Sequence, residues 1–413
     1  MTHLNVVSRQ PRAIHAALLL ITVSLTVMVA AILGPSLPNM QKYYAGVPGV
    51  DYLVPLTVTA PMLAMTIVSV LVGYVADRVG RKRLLVVGTV LYAVVGMAPL
   101  WLESLYAVIA SRLAIGIAEA VIITCSTIMI GDYYHGARRE KFISLQTTVS
   151  AGSAVVLSLL GGIIGEYGWR APYLLYGVGL LLAPLMQGYL WEPRSHGAVH
   201  ENLIDLPGEK PVTFRPWLLV GICAITVFTG LAFLSVPVHL GYLYGAIGVS
   251  SSASIGVAAA LNCAGVMIGT LIFAWWAAKR LRVAHQLALS VAVAGLGFAL
   301  MGVAQSYVML TLALIINGLG CGLIMPTVNT WNMRELPSSH RGVGTGAFMS
   351  SLFLGYFINP LVVVYAGNHT GGRAQALALG GWIMLAAALL VVAVSWGVWG
   401  INRNTAIQTG DGR

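Results

Sequence analysis

The feature that most constrains this chain is a series of twelve apolar runs, at approximately 14–37, 53–76, 84–101, 105–130, 143–165, 171–191, 216–239, 252–278, 283–304, 307–331, 342–366 and 376–400. Each is near the roughly 20 residues with which a helix crosses a hydrocarbon layer. Lipid offers no partner to a backbone amide, so a spanning chain is a helix bundle or a closed barrel. Barrel strands alternate apolar and polar residues over about ten positions, whereas these runs are continuous. Only 9% of residues are charged, against about 25% in water-soluble domains. The first run exceeds the apolar stretch of a cleaved leader and is expected to be retained. The reading is an all-α membrane protein with twelve transmembrane helices.

If the N-terminus is cytoplasmic and every run crosses once, nineteen of the 23 Lys and Arg residues fall in cytoplasmic segments, and Lys42, Arg170 and Arg373 fall outside. This bias is the positive-inside signature. It places both termini in the cytoplasm of a cell with this protein in its inner membrane, and it assigns the net charge of +10 to inner-face anchoring beside anionic lipid. The cations are scattered among short loops, which gives no support to nucleic-acid binding. The four cysteines lie in apolar runs without metal-ligand spacing. His196 and His200 stand four apart in a polar loop but lack further ligands. No phosphate-binding loop is present, and neither an enzyme nor a metal site is expected.

The longest polar stretch, 192–215, divides the runs six and six. The segment from Arg112 and the segment from Leu314 repeat a pattern: each has a glycine at its fifth position, Gly116 and Gly318, and each ends in a turn carrying a basic residue, Arg139 and Arg341. Parallel six-helix repeats are a transporter architecture with a central site. The expected organisation is a first bundle over 1–191, a central cytoplasmic loop over 192–215, and a second bundle with a short tail over 216–413, the two bundles being pseudo-symmetric.

"GYVADRVGRKRLL" (73–85) gathers one carboxylate and four cations between the second and third runs. The short connection makes the two helices antiparallel neighbours, and Gly80 suits a tight turn. Asp77 gains nothing from anionic lipid, so it pairs with an Arg, meets a helix N-terminus, or is simply solvated. The stretch Gly73-x-Val75-Ala76-Asp77-Arg78-x-Gly80-Arg81-Lys82 resembles the signature loop of the major facilitator superfamily, with Val75 where Leu is usual. That resemblance implies alternating access by two rocking bundles, with Gly73, Asp77, Arg78, Gly80, Arg81 and Lys82 forming a conformational latch. The second-half counterpart, "AAKRLRVAH" (277–285), keeps cations but has no acid.

Glu119 is the one acid near the middle of a run, and Arg112 the one Lys or Arg inside a run. Seven residues apart, they share a helix face about 10 Å apart along the axis, and Ser126 extends the stripe. A central charge costs about 2.5–3.5 kcal/mol to insert. Either the pair is a static packing ion pair, or it borders a water-filled cavity in which Glu119 exchanges a proton and Arg112 meets an anion. Arg112-x-x-x-Gly116 resembles the fourth-helix motif of proton-coupled members. The fifth-helix antiporter signature is degraded, with Leu157-Ser158 where Gly-Pro is usual before Gly161-Gly162. Asn317 and Asn329 are further cavity candidates, and each could equally join an interhelical hydrogen bond. The expectation is a secondary transporter of a small organic solute, monomeric in the lipid bilayer, needing no cofactor beyond a proton gradient and working as a proton-coupled exporter. The alternatives are uptake of an organic anion and a non-transporting receptor.

Overall fold

The computed structural model describes residues 11–134, 136–192, 216–335 and 341–408. Among the described residues, twelve helices are long and apolar enough to span a membrane: α1 (Ala13–Tyr43), α2 (Val50–Val79), α3 (Arg81–Leu100), α4 (Leu105–Tyr133), α5 (Ala137–Gly165), α6 (Ala171–Tyr189), α7 (Pro216–Ala246), α8 (Ser252–Arg280), α9 (Val283–Met301), α10 (Tyr307–Glu335), α11 (Arg341–Thr370) and α12 (Arg373–Gln408). The described residues contain no strand. Beyond Glu192, the expected central segment lies outside the described residues, as do His196 and His200.

The helix pairings reveal the internal symmetry. In the first half α1 packs on α5, α2 on α4, and α3 on both α4 and α6. In the second half the same pairings recur six helices later: α7 on α11, α8 on α10, and α9 on both α10 and α12. Two extensive contacts join the halves, α5 with α8 and α2 with α11. Exchange of the halves maps one of these contacts onto the other. The twelve helices thus form two pseudo-symmetric six-helix bundles.

Local chemistry fits a lipid solvent. Large apolar side chains such as Leu181, Phe228 and Leu389 are exposed on outward faces. Buried hydroxyls bond back to their own helix: Thr22 donates to Leu18 O at 2.5 Å, Thr89 to Leu85 O at 2.8 Å and Thr226 to Ile222 O at 2.7 Å. Such back-bonding satisfies a polar group without a water partner. Departures from regular α-helix, not expected from the sequence, include short 3₁₀ stretches at Gly34–Ser36 in α1 and Ala98–Leu100 in α3. Helix α6 opens with a 3₁₀ stretch over Ala171–Gly177, and α8 contains a π-turn over Phe273–Ala277. That turn presents Trp275 outward.

The end of the molecule bearing the 73–85 loop is here called the basic face. The hydrogen bonds between halves cluster toward the other end. Glu166, at the end of α5, accepts from the Ser251 hydroxyl at 2.7 Å and from the Ala253 amide at 2.8 Å at the start of α8. Arg373, at the start of α12, donates to Gln41 Oε1 at 3.5 Å and to Asp51 O at 3.3 Å. Asn368 donates to the Tyr52 hydroxyl at 3.3 Å. Helices α5 and α8 meet there backbone to backbone: a Cβ on Gly256 would stand 2.7 Å from Gly162 Cα, and one on Gly162 would stand 2.7 Å from Ser252 O. Only glycine permits that approach.

Candidate functional site

Between the halves lies a cavity of about 370 Å³, within the size range of small-molecule sites. It is bordered by α1, α5, α7, α8, α10 and α11. On α5 the lining residues are Thr147, Ser150, Ala151, Ala154 and Ser158. Their spacings of three, four, seven and eleven from Thr147 put them on one helical face. The cavity therefore runs from the closed end, where Pro237 and Leu240 line it, toward the basic face as far as Thr147, ten residues into α5. Its opposite wall carries Asn262 and Cys263 of α8, Asn317 and Cys321 of α10, and Tyr356 of α11.

The structure places the five expected site residues apart. Of these, Asn317 lines the cavity. Arg112, Glu119 and Ser126 do not, being buried inside the first bundle instead. Asn329 is exposed and is not among the lining residues. The physical reason lies in Gly116, on the same face as Arg112 and Glu119. Its missing side chain admits the Pro61 backbone of α2, and Gly88 of α3 likewise admits Val121. The face that carries the charges is thus the face that packs on α2 and α3. A stripe of charge beside a glycine reads in sequence as a polar channel, but close helix contact uses the same pattern.

Within that packed face the two charges are held differently. Arg112 Nη2 donates to Gly96 O at 2.9 Å and to Val95 O at 3.2 Å, satisfying carbonyls near the end of α3. Its guanidinium lies 4.9 Å from the centre of the Tyr173 ring and 5.1 Å from that of Tyr176, a cation–π arrangement that shelters a buried cation. Both carboxyl oxygens of Glu119 are buried without a hydrogen-bond partner. The ion pairs among the described residues are Arg81–Asp77 and Arg81–Asp132, so Arg112 and Glu119 do not form the static pair considered above.

The charged loop forms a cluster on the basic face. Gly80 adopts φ 103° to make the turn. Arg81 pairs with Asp77 at 2.8 Å and with Asp132 at the end of α4. Glu192, just beyond α6, accepts the amides of Arg81 at 2.5 Å and Lys82 at 3.0 Å, which caps the positive end of α3. Lys82 Nζ donates to Gln187 O at 2.8 Å, and Arg78 lies 4.2 Å over the Tyr74 ring. These contacts join α2, α3, α4 and the α6 end within one half. Asp132 and Glu192 were missed in the sequence because each sits at a run's end, where a lone acid is unremarkable. The second-half counterpart uses an amide: Gln286 Nε2 donates to Ala277 O at 3.1 Å and Leu281 O at 2.8 Å. No group of three or more His, Cys, Asp or Glu able to hold a metal occurs among the described residues.

Comparison with known proteins agrees with this architecture. A bacterial homologue of the human lysosomal transporter Spinster, solved in an inward-facing and occupied conformation, superposes with a TM-score of 0.71 at 13% identity, covering 95% of this chain and 97% of that one. The multidrug transporter protein MdtP of Bacillus subtilis (strain 168) is 22% identical over 390 residues, covering 80% of this chain and 70% of that protein. The MFS-type transporter YdgK of the same organism is 27% identical over 139 residues, and the match spans only 35% of its length. The family model for the Major Facilitator Superfamily matches residues 19–360. The chain therefore belongs to the Major Facilitator Superfamily.

Proposed function

We propose that this chain exports a small organic solute by alternating access, taking it up from a cavity that opens toward the basic, cytoplasmic face. The observation that carries the reading is the cavity between the halves, closed at the opposite end by Glu166, Arg373 and the Gly162–Gly256 approach. Rocking of the two bundles about the α2–α11 and α5–α8 contacts exchanges the closed end for the open one. The multidrug name of MdtP supports outward transport of organic solutes. Uptake of an anion held by Arg112 is not favoured, because that guanidinium is buried inside the first bundle, against carbonyls and tyrosine rings and away from the cavity.

In this reading Glu119 carries the proton. A carboxylate without a donor is poorly tolerated in an apolar interior, so the charged and neutral forms favour different packings of α4 against α2 and α3. Coupling then acts through helix packing rather than through contact with the solute. Vesicles containing the purified protein test this. Glu119→Gln is expected to abolish stimulation by a pH gradient while leaving solute counterflow intact. A variant that still responds to the gradient removes Glu119 from the coupling step. Absence of counterflow in the wild-type protein overturns transport itself.

A further inference from the structure

The chemistry of the cavity wall bears on what can occupy it. Among the described residues, no Asp, Glu, Lys, Arg or His lines it. Its larger side chains are apolar or aromatic, with Phe233 and Tyr356 stacked at a centroid distance of 6.0 Å. Most of its polar groups are already committed to the protein. Asn262 Nδ2 donates to Leu314 O at 2.7 Å and Asn317 Nδ2 to Ala294 O at 3.1 Å. Thr26 donates to Val23 O at 2.8 Å and Thr270 to Val266 O at 3.0 Å. Among the described residues the Tyr356 hydroxyl makes no hydrogen bond of its own, so it remains for a ligand, and the hydroxyls of Thr147 and Ser150 line the end nearer the basic face.

We propose that the solute is an uncharged, lipophilic molecule carrying one or two hydrogen-bonding groups. This rests on the reading of the cavity as the transport site. An ion entering it would leave water without meeting an opposite charge, whereas an apolar body gains from leaving water. A ring face attracts a cation, but the one aromatic pair here does not replace the hydration an ion gives up on burial. The free tyrosine hydroxyl is left to donate to a carbonyl, ether or hydroxyl oxygen of a neutral guest.

A series on one ring system varies the charge: 1-naphthol, 1-naphthoate and 1-naphthyltrimethylammonium at pH 7, with binding measured by titration calorimetry on the purified full chain. Naphthol is expected to bind at least tenfold more tightly than either ion. Ala154→Trp, which fills the cavity, is expected to abolish that binding, and Ala151→Asp to reverse the ranking in favour of the cation. Equal or tighter binding of either ion, no saturable binding of naphthol, or naphthol binding that survives Ala154→Trp overturns the proposal. Flux in vesicles keeps this apart from the transport reading. Naphthol bound but not carried overturns transport and leaves the solute class standing. An ion carried while naphthol is excluded does the reverse.

Discussion

Substituting Gly256 by Ala tests whether the α5–α8 contact holds this conformation. The new Cβ would stand 2.7 Å from Gly162 Cα and 2.8 Å from Ser158 O, both in the opposite half. Ordinary contact starts at 3.4 Å, so the helices must part by close to an ångström at that level. Forcing a methyl into a filled contact typically costs about 1–3 kcal/mol. At about 1.4 kcal/mol per tenfold, that is roughly a 5- to 150-fold shift of the equilibrium. The neighbours of the new methyl belong to the other half, so the cost falls on the state closed at this end and is relieved when the halves part. Cys263 reports the change, since it lines the cavity and lies 3.8 Å from Ser158. With Cys125, Cys223 and Cys321 replaced by Ala, its labelling by a membrane-impermeant maleimide from the face opposite the basic loop should accelerate by the same factor. Gly162→Ala should reproduce the effect from the other side of the contact. Unchanged labelling in both variants, with thermal unfolding also unchanged, would refute the argument that these glycines set the closed state.

Three further outcomes follow from contacts described above. Burial contributes little at Glu166; the Ala253 amide and the Ser251 hydroxyl hold its carboxyl below the usual carboxylate range. Its contact between the halves is therefore present above the ordinary carboxylate pKa and is lost as pH falls through the lowered value. Glu166→Gln should make Cys263 labelling from that face insensitive to acid, and a wild-type-like acid response in this variant would exclude Glu166 as the sensor. Arg81→Ala removes the partner of Asp77 and Asp132 at once. It should slow counterflow by more than Asp77→Asn alone, and equal rates for the two variants would argue that Asp132 contributes nothing. Arg112→Lys keeps the charge but cannot reach two carbonyls and two rings with one planar group. It should lower the unfolding temperature measurably in detergent, whereas an unchanged transition would show that the Val95 and Gly96 carbonyls gain little from the guanidinium.

Much of the fold was readable from the residues because hydropathy in lipid is a strong local signal. The twelve runs match the twelve helices to within a few residues at most ends, with α12 running further, to Gln408. The cavity was harder to find. The stripe Thr147, Ser150, Ala151, Ala154 and Ser158 carries the right periodicity, but a row of small residues also describes helix packing, as at Gly162 and Gly256. The reverse ambiguity applies to Arg112 and Glu119, which lie buried away from the cavity. A charge inside an apolar run implies a protected environment, and the chain alone does not say whether water or neighbouring helices provide it. Asp77 and Arg81 are only four residues apart in the chain, which keeps them close across the Gly80 turn. Their long-range partners Asp132 and Glu192 depended on the return of α4 and α6 to the same face.

The two rims of the basic face are stitched by different chemistries. One binds α3 to its neighbours through Arg81, Asp77, Asp132 and Glu192, and the other closes the α8 end with the neutral amide of Gln286. Dissolved salt screens the first kind of bond and leaves the second nearly untouched. Ionic strength and headgroup charge should therefore loosen one half of the carrier while its twin stays stiff, so that the surrounding electrolyte acts on the cycle from a single side of the pseudo-twofold axis.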